Sequence, residues 1–242
     1  MRLKVFFLII MEKFYCLQTG VFGVNTYIIP VESAPGDGAE PASCLSPALV
    51  FDPAACMLTG DASKITGFLA EKKLYCQAIL LTHAHFDHIM GISLLKAAFP
   101  DAKIYLHKEE ALELGSAARG ERGGPMNQSL LASFGMEAVL DEVANQPAAD
   151  ILLSGGEILF DEWKVLHTPG HSRGSVCYYN EKKGLLVSGD TMFYHSWGRT
   201  DMYGGHEGAI QKSLSQLKKI VKAGTKVLPG HDYNGFKIED NR

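Results

Sequence analysis

Short apolar runs separated by turn residues recur along the 242-residue chain and predict alternating strands and helices. KFYCLQTG and VNTYIIPV are rich in β-branched and aromatic residues and are split by glycines, which is typical of a β-hairpin. CQAILLT is continuously apolar, as in a strand buried on both faces. Apolar residues at helical spacing predict helices over residues 61–73, with Asp61 or Ser63 as the cap, 89–99 and 207–222.

The predicted elements form two similar halves, with no linker between them. Sheet packed on sheet with helices outside is the arrangement that buries their apolar faces, so we expect one domain over residues 11–242. Residues 1–10, MRLKVFFLII, have a basic start and an apolar run and are interpreted as an upstream extension or an extra edge strand, with a signal peptide as the less favoured alternative. The pattern weakens over residues 109–150, which we interpret as an insertion with one short helix near the candidate site.

Composition narrows the classes of function. The chain has 23 Lys and Arg against 27 Asp and Glu, a net charge of -4, and no basic run, so we expect no nucleic-acid partner. No apolar run is long enough to span a bilayer, so no membrane partner is expected either. Five scattered cysteines without a C-x-x-C pair are typical of reduced thiols, which favours a cytoplasmic protein.

One segment concentrates polar residues directly behind an apolar run. AILLTHAHFDHIMG, residues 78–91, holds three of the nine histidines of the chain. His83 and His85 are two positions apart, so in an extended segment or turn both can face the same way. Imidazole is the usual protein ligand of zinc and of iron, and Asp87 and His88 follow closely enough to serve a second ion. The H-x-H-x-D-H pattern therefore predicts metal binding.

Three further residues extend this prediction to a two-metal site. His171 lies in HTPGHSRGS, Asp190 in LLVSGDTMF and His231 in VLPGHDY. Each follows a predicted strand, and in open α/β sheets the carboxyl ends of the strands carry the ligand sites. Each alone has an ordinary explanation as a turn histidine, a capping aspartate or a loop histidine, but together they complete a set of ligands.

With these motifs, the chain resembles the metallo-β-lactamase superfamily from about residue 11 to residue 236. Within it the chain is most similar to the short bacterial glyoxalase-II-like (hydroxyacylglutathione hydrolase-like) metallohydrolases. The matching stretches are GVFGVNTYII, ILLTHAHFDHIMG, MNQSLLASFG, VLHTPGHSRGSVC, VSGDTMF and GRTDMYGG. The resemblance implies a four-layer αββα sandwich, with two mixed β-sheets face to face and helices outside.

The resemblance also implies a role for each of the seven candidate ligands. It assigns a first metal to His83, His85 and His171, a second metal to Asp87, His88 and His231, and a bridging position to Asp190. The implied cofactors are two divalent ions, with zinc as the first choice and iron or manganese as alternatives. The implied reaction is attack of a metal-bound hydroxide, oriented by Asp87, on a thioester such as an acyl-glutathione.

Two residues outside the ligand set are candidates for contact with a small-molecule substrate. Arg199, in GRTD, stands where the glyoxalase II family places a basic residue that contacts glutathione; the alternative is an ion pair with Asp201. Tyr233, in GHDY, matches a tyrosine on the thioester side of that family's site; the alternative is a packed aromatic residue.

Other functions stay open at this point. Persulfide dioxygenases share the fold and the GRTD stretch, and in them the equivalents of His83, His171 and Asp190 hold a single iron. A lactonase, a β-lactamase or another hydrolase of this fold is a third alternative, and a non-catalytic metal-binding module a fourth. An RNase-Z-like nuclease is disfavoured by the lack of a basic surface segment. Both a monomer and a homodimer are compatible with the sequence.

Overall fold

The structure is a computed structural model that describes residues 14–31, 45–115, 123–160 and 162–241. The upstream extension expected at residues 1–10 lies outside the described residues. Within them, the strands form two six-stranded sheets.

The first sheet contains the strands of the first half of the chain in sequence order. They are β1 (Tyr15–Thr19), β2 (Val24–Pro30), β3 (Ser46–Phe51), β4 (Leu74–Leu80), β5 (Lys103–His107) and β6 (Ile151–Leu153). β1 and β2 form the expected antiparallel hairpin, whereas β3 to β6 run parallel. The sheet is therefore mixed.

The second sheet contains the strands of the second half, again in sequence order. They are β7 (Ile158–Leu159), β8 (Trp163–His167), β9 (Val176–Asn180), β10 (Leu185–Gly189), β11 (Lys226–Pro229) and β12 (Phe236–Lys237). β10 and β11 are parallel, and the other neighbours are antiparallel. It follows that β8, β10 and β11 all end at the same edge.

The core has the layers that the sequence predicts. Buried side chains of both sheets meet in one cluster, in which Phe51 of β3 contacts Trp163 of β8 and Tyr178 of β9. A second cluster joins the first sheet to helices, and a third joins the second sheet to the helix over Glu207–Ile220. The predicted αββα sandwich with two mixed sheets is confirmed.

The helices of the described residues lie outside the two sheets. They are α1 (Lys64–Glu71), α2 (Phe86–Ile89), α3 (Ile92–Ala98), α4 (Pro125–Phe134), α5 (Leu140–Ala144) and α6 (Glu207–Ile220). Short 3-10 helices cover Lys108–Glu113, Glu137–Val139 and Ile238–Asp240. None of the described helices has both the length and the apolar character needed to cross a membrane.

The structure divides one predicted helix and decides between the two predicted caps of another. The predicted helix over 89–99 is divided into α2 and α3 at Gly91, whose N–H donates to the Pro53 carbonyl at 2.8 Å. Asp61 does not cap α1, because its carboxylate accepts hydrogen bonds from the backbone N–H groups of Gly20 and Cys56 at 2.8 and 2.9 Å. Ser63 is the N-cap residue, although its side chain makes no capping hydrogen bond.

The insertion over residues 109–150 is more helical than predicted. Its described part contains α4 and α5 together with two of the 3-10 segments, Lys108–Glu113 and Glu137–Val139, whereas the sequence predicts one short helix. The start of α4 is stabilised from a distance, because the Glu113 carboxylate accepts from the N–H groups of Met126 and Asn127 at 3.0 and 3.1 Å. A cap supplied by another segment leaves no local signal in the sequence.

Candidate metal centre

The loop that carries the first ligands is fixed by the strands on either side of it. His83 follows β4, and the Asp52 carboxylate accepts from the N–H of Thr82 at 2.8 Å and from its hydroxyl at 2.7 Å. The hydroxyl of Tyr178, from the second sheet, donates to the carbonyl of Leu81 at 2.8 Å. Contacts from both sheets therefore hold this loop at the edge of the sandwich.

The first ligand set consists of His83, His85 and His171. One ring nitrogen from each lies within 4.8 Å of the others. His85 Nδ1 and His171 Nε2 are 2.9 Å apart. Two ligand nitrogens, each about 2.0–2.1 Å from one tetrahedral zinc ion, would be about 3.3 Å apart. The observed distance between the two nitrogens is therefore close to that expected for two ligands of the same ion.

The second ligand set consists of Asp87, His88 and His231, whose donor atoms also lie within 4.8 Å of one another. His231 Nε2 lies 3.3 Å from His88 Nε2 and 3.4 Å from Asp87 Oδ2. His231 comes from the loop after β11, so this set joins the two sheets, as the first set does through His171.

Asp190, at the end of β10, lies between the two sets. Its Oδ2 is 3.5 Å from His171 Nε2 of the first set and 3.6 Å from His231 Nε2 of the second, and its Oδ1 is 3.5 Å from His88 Nε2. A carboxylate that faces both sets can bridge two ions. The structure thus brings together all seven residues that the sequence singles out as ligands.

The outer ring nitrogens of three histidines face oxygen acceptors. His171 Nδ1 donates to the Arg199 carbonyl at 2.8 Å, and His231 Nδ1 donates to the Phe22 carbonyl at 3.3 Å. His88 Nδ1 lies 3.2 Å from Asp52 Oδ2. A carbonyl only accepts, so Nδ1 of the first two rings carries the proton and Nε2 is left with a free lone pair toward the centre.

The residues present fit a pair of divalent cations. His83 Nε2 and Asp190 Oδ1 are buried and have no hydrogen-bond partner among the described residues. A buried polar atom without a partner costs free energy, and a cation supplies the missing partner. All donors are imidazole nitrogens or carboxylate oxygens, which suit zinc, iron and manganese.

The electrostatics of the two sets differ. Burial, followed by the charge of the neighbouring imidazoles, lowers the pKa of His83 well below its ordinary value. Burial also acts to lower the pKa of His88, but the carboxylates of Asp190, Asp87 and Asp52 outweigh it and raise the pKa to about 10. In the protein without metal a proton on His88 balances these carboxylates, and a bound cation would replace that proton.

A cavity of about 360 Å³ opens over the two sets and is lined by His85, Asp87, His171, Asp190 and His231.

The family model of the metallo-beta-lactamase superfamily matches residues 59–231, which is more than half of the chain and includes all seven candidate ligands. The chain belongs to the metallo-β-lactamase superfamily.

Two relatives and one solved structure are similar to this superfamily member in sequence, and the solved structure is similar in fold as well. A probable metallo-hydrolase, YqgX of Bacillus subtilis strain 168, is 36% identical over 76% of this chain and 79% of its own length. A hydroxyacylglutathione hydrolase of Francisella tularensis subsp. novicida is 28% identical over 78% of this chain, which spans 60% of that relative. The BLEG-1 B3 metallo-beta-lactamase structure is 30% identical, with a TM-score of 0.75 over 94% of this chain and 95% of that one.

The two predicted substrate contacts of this metallo-β-lactamase superfamily member lie in different places. Arg199 lines the cavity, and its guanidinium donates from two nitrogens to the Asp201 carboxylate, each at 2.8 Å, which is the ion pair given above as the alternative. The side chain of Tyr233 is 62% exposed and packs beside Tyr194 and Phe236, with ring centroids at 5.3 and 6.4 Å. Tyr233 is not among the described residues that line the cavity.

Three residues that the sequence did not single out hold the ligands in place. Asp52 faces His88, as described above. Glu110 is buried and accepts hydrogen bonds from the N–H of Ala84, between two ligands, from the Ser172 hydroxyl, and from the Gly174 N–H at 3.0 Å. Asn25 donates to the carbonyls of Pro229 and Asp232, both at 3.1 Å, on either side of His231. Among these three, the sequence offered a signal only for Asn25, which lies in the superfamily-like stretch GVFGVNTYII.

Proposed function

We propose that the protein is a binuclear metal-dependent hydrolase of a thioester such as an acyl-glutathione. The observation that carries the proposal is the position of Asp190, whose carboxylate lies 3.5–3.6 Å from histidines of both ligand sets. Two divalent ions at such a site, zinc as first choice, lower the pKa of a bound water and polarise an acyl carbonyl. The hydroxyacylglutathione hydrolase from Francisella, 28% identical, supports the choice of a thioester.

Asp87 is the residue proposed to orient the attacking water. Burial acts to raise the pKa of Asp87, but the charges of His88 and His231 outweigh it and hold the pKa below its ordinary range. Asp87 is therefore ionised at neutral pH, and its Oδ2 can accept a hydrogen bond from the water. Hydrolysis adds the water oxygen to the acyl carbon, breaks the carbon–sulfur bond and gives a carboxylate and a thiol.

The test is metal analysis together with a hydrolysis assay on the purified protein. We expect two divalent ions per chain and cleavage of an acyl-glutathione that stops when a chelator removes the metal. One iron per chain, with oxygen consumed on glutathione persulfide and no thioester cleavage, would replace this proposal with the dioxygenase alternative.

A β-lactam is the second candidate substrate, because the BLEG-1 structure is 30% identical over nearly the whole chain. A nitrocefin assay on the same metal-loaded preparation separates the two candidates. The thioester proposal expects kcat/KM for the thioester to exceed that for the β-lactam by at least tenfold, and the reverse order would favour a β-lactamase or related hydrolase.

A further inference from the structure

Three phenylalanines from distant parts of the chain meet beside the metal centre. Phe22 lies in the turn between β1 and β2, Phe86 between two ligands, and Phe134 at the end of α4. Their ring centroids are 5.7 Å apart for Phe22 and Phe86, 5.2 Å for Phe22 and Phe134, and 6.3 Å for Phe86 and Phe134. With Leu130 of α4 they line the cavity, and we call these four residues the aromatic wall.

The aromatic wall keeps a large apolar surface in contact with solvent. Phe22 is 44% exposed and Phe134 is 42% exposed, although their partner Phe86 is almost fully buried. Apolar residues that cluster in a cavity without being covered by the protein are typical of a surface that a ligand covers.

The position of the aromatic wall relative to the ligands is fixed by two links. The carbonyl of Phe22 accepts the hydrogen bond from His231 Nδ1 at 3.3 Å. Phe86 stands between His85 and Asp87 in the sequence and starts α2. An acyl carbon bound at the metal centre would therefore have its substituent within reach of these rings.

The charged side chains of the cavity do not favour an acidic group. Apart from the histidines, Arg199 is the one basic residue among the described residues that line the cavity, and Asp201 already binds it through two hydrogen bonds. Asp232 adds a carboxylate to the same lining. For the acyl group of the substrate, recognition by apolar contact is thus better supported than recognition of a carboxylate on that group.

We propose that the aromatic wall binds an apolar acyl group, so that the preferred substrate is a thioester of a medium-length or aromatic acid and not of a short or charged one. This inference rests on the proposed thioester hydrolase function. The chemistry that recognises the acyl group is burial of methylene or aryl surface against Phe22 and Phe134, with Phe86 as their support.

The experiment uses the metal-loaded full chain and thioesters of one neutral thiol, N-acetylcysteamine, with acetyl, butanoyl, hexanoyl and benzoyl groups. We expect kcat/KM to rise by about two- to fourfold for each methylene covered. Phe134→Ala should lower kcat/KM for hexanoyl by at least fivefold more than for acetyl. Leu152→Ala, an exposed apolar residue of the edge strand β6 outside the cavity, is the matched control and should leave the ratio unchanged.

Binding of the carboxylate products separates failure of this inference from failure of the proposed function. Hexanoate should bind the metal-loaded protein at least tenfold more tightly than acetate in calorimetry, and Phe134→Ala should remove most of that difference. If no thioester is cleaved but hexanoate still binds more tightly than acetate in a Phe134-dependent way, the apolar binding role of the aromatic wall is supported and the hydrolase proposal is contradicted. Equal affinities for acetate and hexanoate, or an equal loss of affinity for both in Phe134→Ala, would contradict the proposal that the aromatic wall binds the acyl group. Phe134→Leu, which keeps apolar bulk, serves if the alanine variant does not fold.

Discussion

Histidines of the candidate centre use their two ring nitrogens for different partners. In His171 and His231 the Nδ1 proton is donated to a backbone carbonyl, and in His88 the Nδ1 faces the Asp52 carboxylate. The carbonyl partners fix the tautomer and the ring orientation of His171 and His231, and the Asp52 carboxylate at 3.2 Å favours the same tautomer, with the proton on Nδ1, in His88. The inner nitrogen of each ring is thus presented to the centre before any ion arrives. Residues that never touch a metal therefore determine how well it is bound.

Asp52→Asn tests this role directly. Asp52 Oδ2 lies 3.2 Å from His88 Nδ1, and an amide nitrogen in its place would favour the wrong tautomer, with the proton on His88 Nε2. We expect metal affinity at the second ligand set to fall by about 10–100-fold, measured by competition with a zinc chelator. Asp101→Asn, on the surface, is the control. An unchanged affinity in Asp52→Asn would contradict the role given to this carboxylate.

The buried carboxyl group of Glu110 is expected to make the free energy of unfolding depend on pH. Burial raises the pKa of Glu110 to about 7 from an ordinary value of 4.5. Between these values the folded protein binds more protons than the unfolded chain, so the free energy of unfolding falls as pH rises from about 4.5 to about 7, by on the order of 3 kcal/mol. Urea unfolding of the metal-free protein at pH 5 and pH 7.5 measures this loss.

Glu110→Gln is the comparison that isolates this residue from other titrating groups. Glutamine cannot ionise, so the variant should lose less stability than the wild type between the two pH values, whatever its absolute stability. Equal losses in both proteins would show that Glu110 does not titrate in this range.

The contact of Asp52 with His88 could not be predicted from the sequence, in contrast to the ligands themselves. The seven ligand candidates carry a spacing or motif that singles them out, and the structure brings them together. Asp52 directly follows β3, in the stretch DPAA, which by itself indicates only a turn. Its contact with His88 depends on β3 lying parallel to β4, with Phe51 paired to Leu80, and strand neighbours are not encoded in local periodicity.

At the scale of elements, the loops after β10 and β11 meet so closely that one position requires glycine. A Cβ atom on Gly230 would lie 2.2 Å from Asp190 Oδ1 and 2.7 Å from His88 Cε1. Backbone in the β11 loop is thus packed directly against ligands from the β4 and β10 loops. The centre depends on three loops approaching to van der Waals distance.

Gly230→Ala should therefore displace Asp190 and His88 and reduce the metal content below two ions per chain, as measured by elemental analysis of the dialysed protein. Gly67→Ala in α1 is the matched control, because a Cβ there meets nothing within 4 Å. The control should keep its full metal content and be slightly more stable, since alanine favours helix over glycine. Full occupancy in Gly230→Ala would contradict the close packing of the three loops around Asp190.

Strands and helices are predictable from the sequence where a local pattern of apolar residues determines the secondary structure. CQAILLT becomes β4 because a continuous apolar run is buried between the core of the two sheets and the outer helices. For residues 109–150 the sequence predicts one short helix instead of the two observed α-helices, because α4 is only ten residues long and the Glu113 side chain satisfies its first N–H groups. A stabilising contact from another segment cannot be read from the period of the helix itself.

At the scale of the whole molecule, the candidate centre lies across the two halves of the sandwich. The first sheet contributes the four ligands of the H-x-H-x-D-H segment after β4, and the second contributes His171, Asp190 and His231 after β8, β10 and β11. Each ligand set contains residues from both sheets. Bound ions would therefore connect the sheets at this edge, in addition to the apolar core between them.

Metal removal should consequently lower the thermal stability of the whole domain. A ligand that binds only the folded state stabilises it by about 2.7 kcal/mol at a free concentration of 100 times Kd, so the wild-type Tm should rise with zinc concentration and fall with a chelator. His88→Ala should bind one ion instead of two and show a smaller rise in Tm, with its fold kept. His195→Ala, an exposed histidine outside both sets, should behave as the wild type. A Tm that does not depend on zinc, or two ions retained in His88→Ala, would contradict the assignment, because ions that link the two sheets cannot be removed without weakening the folded state.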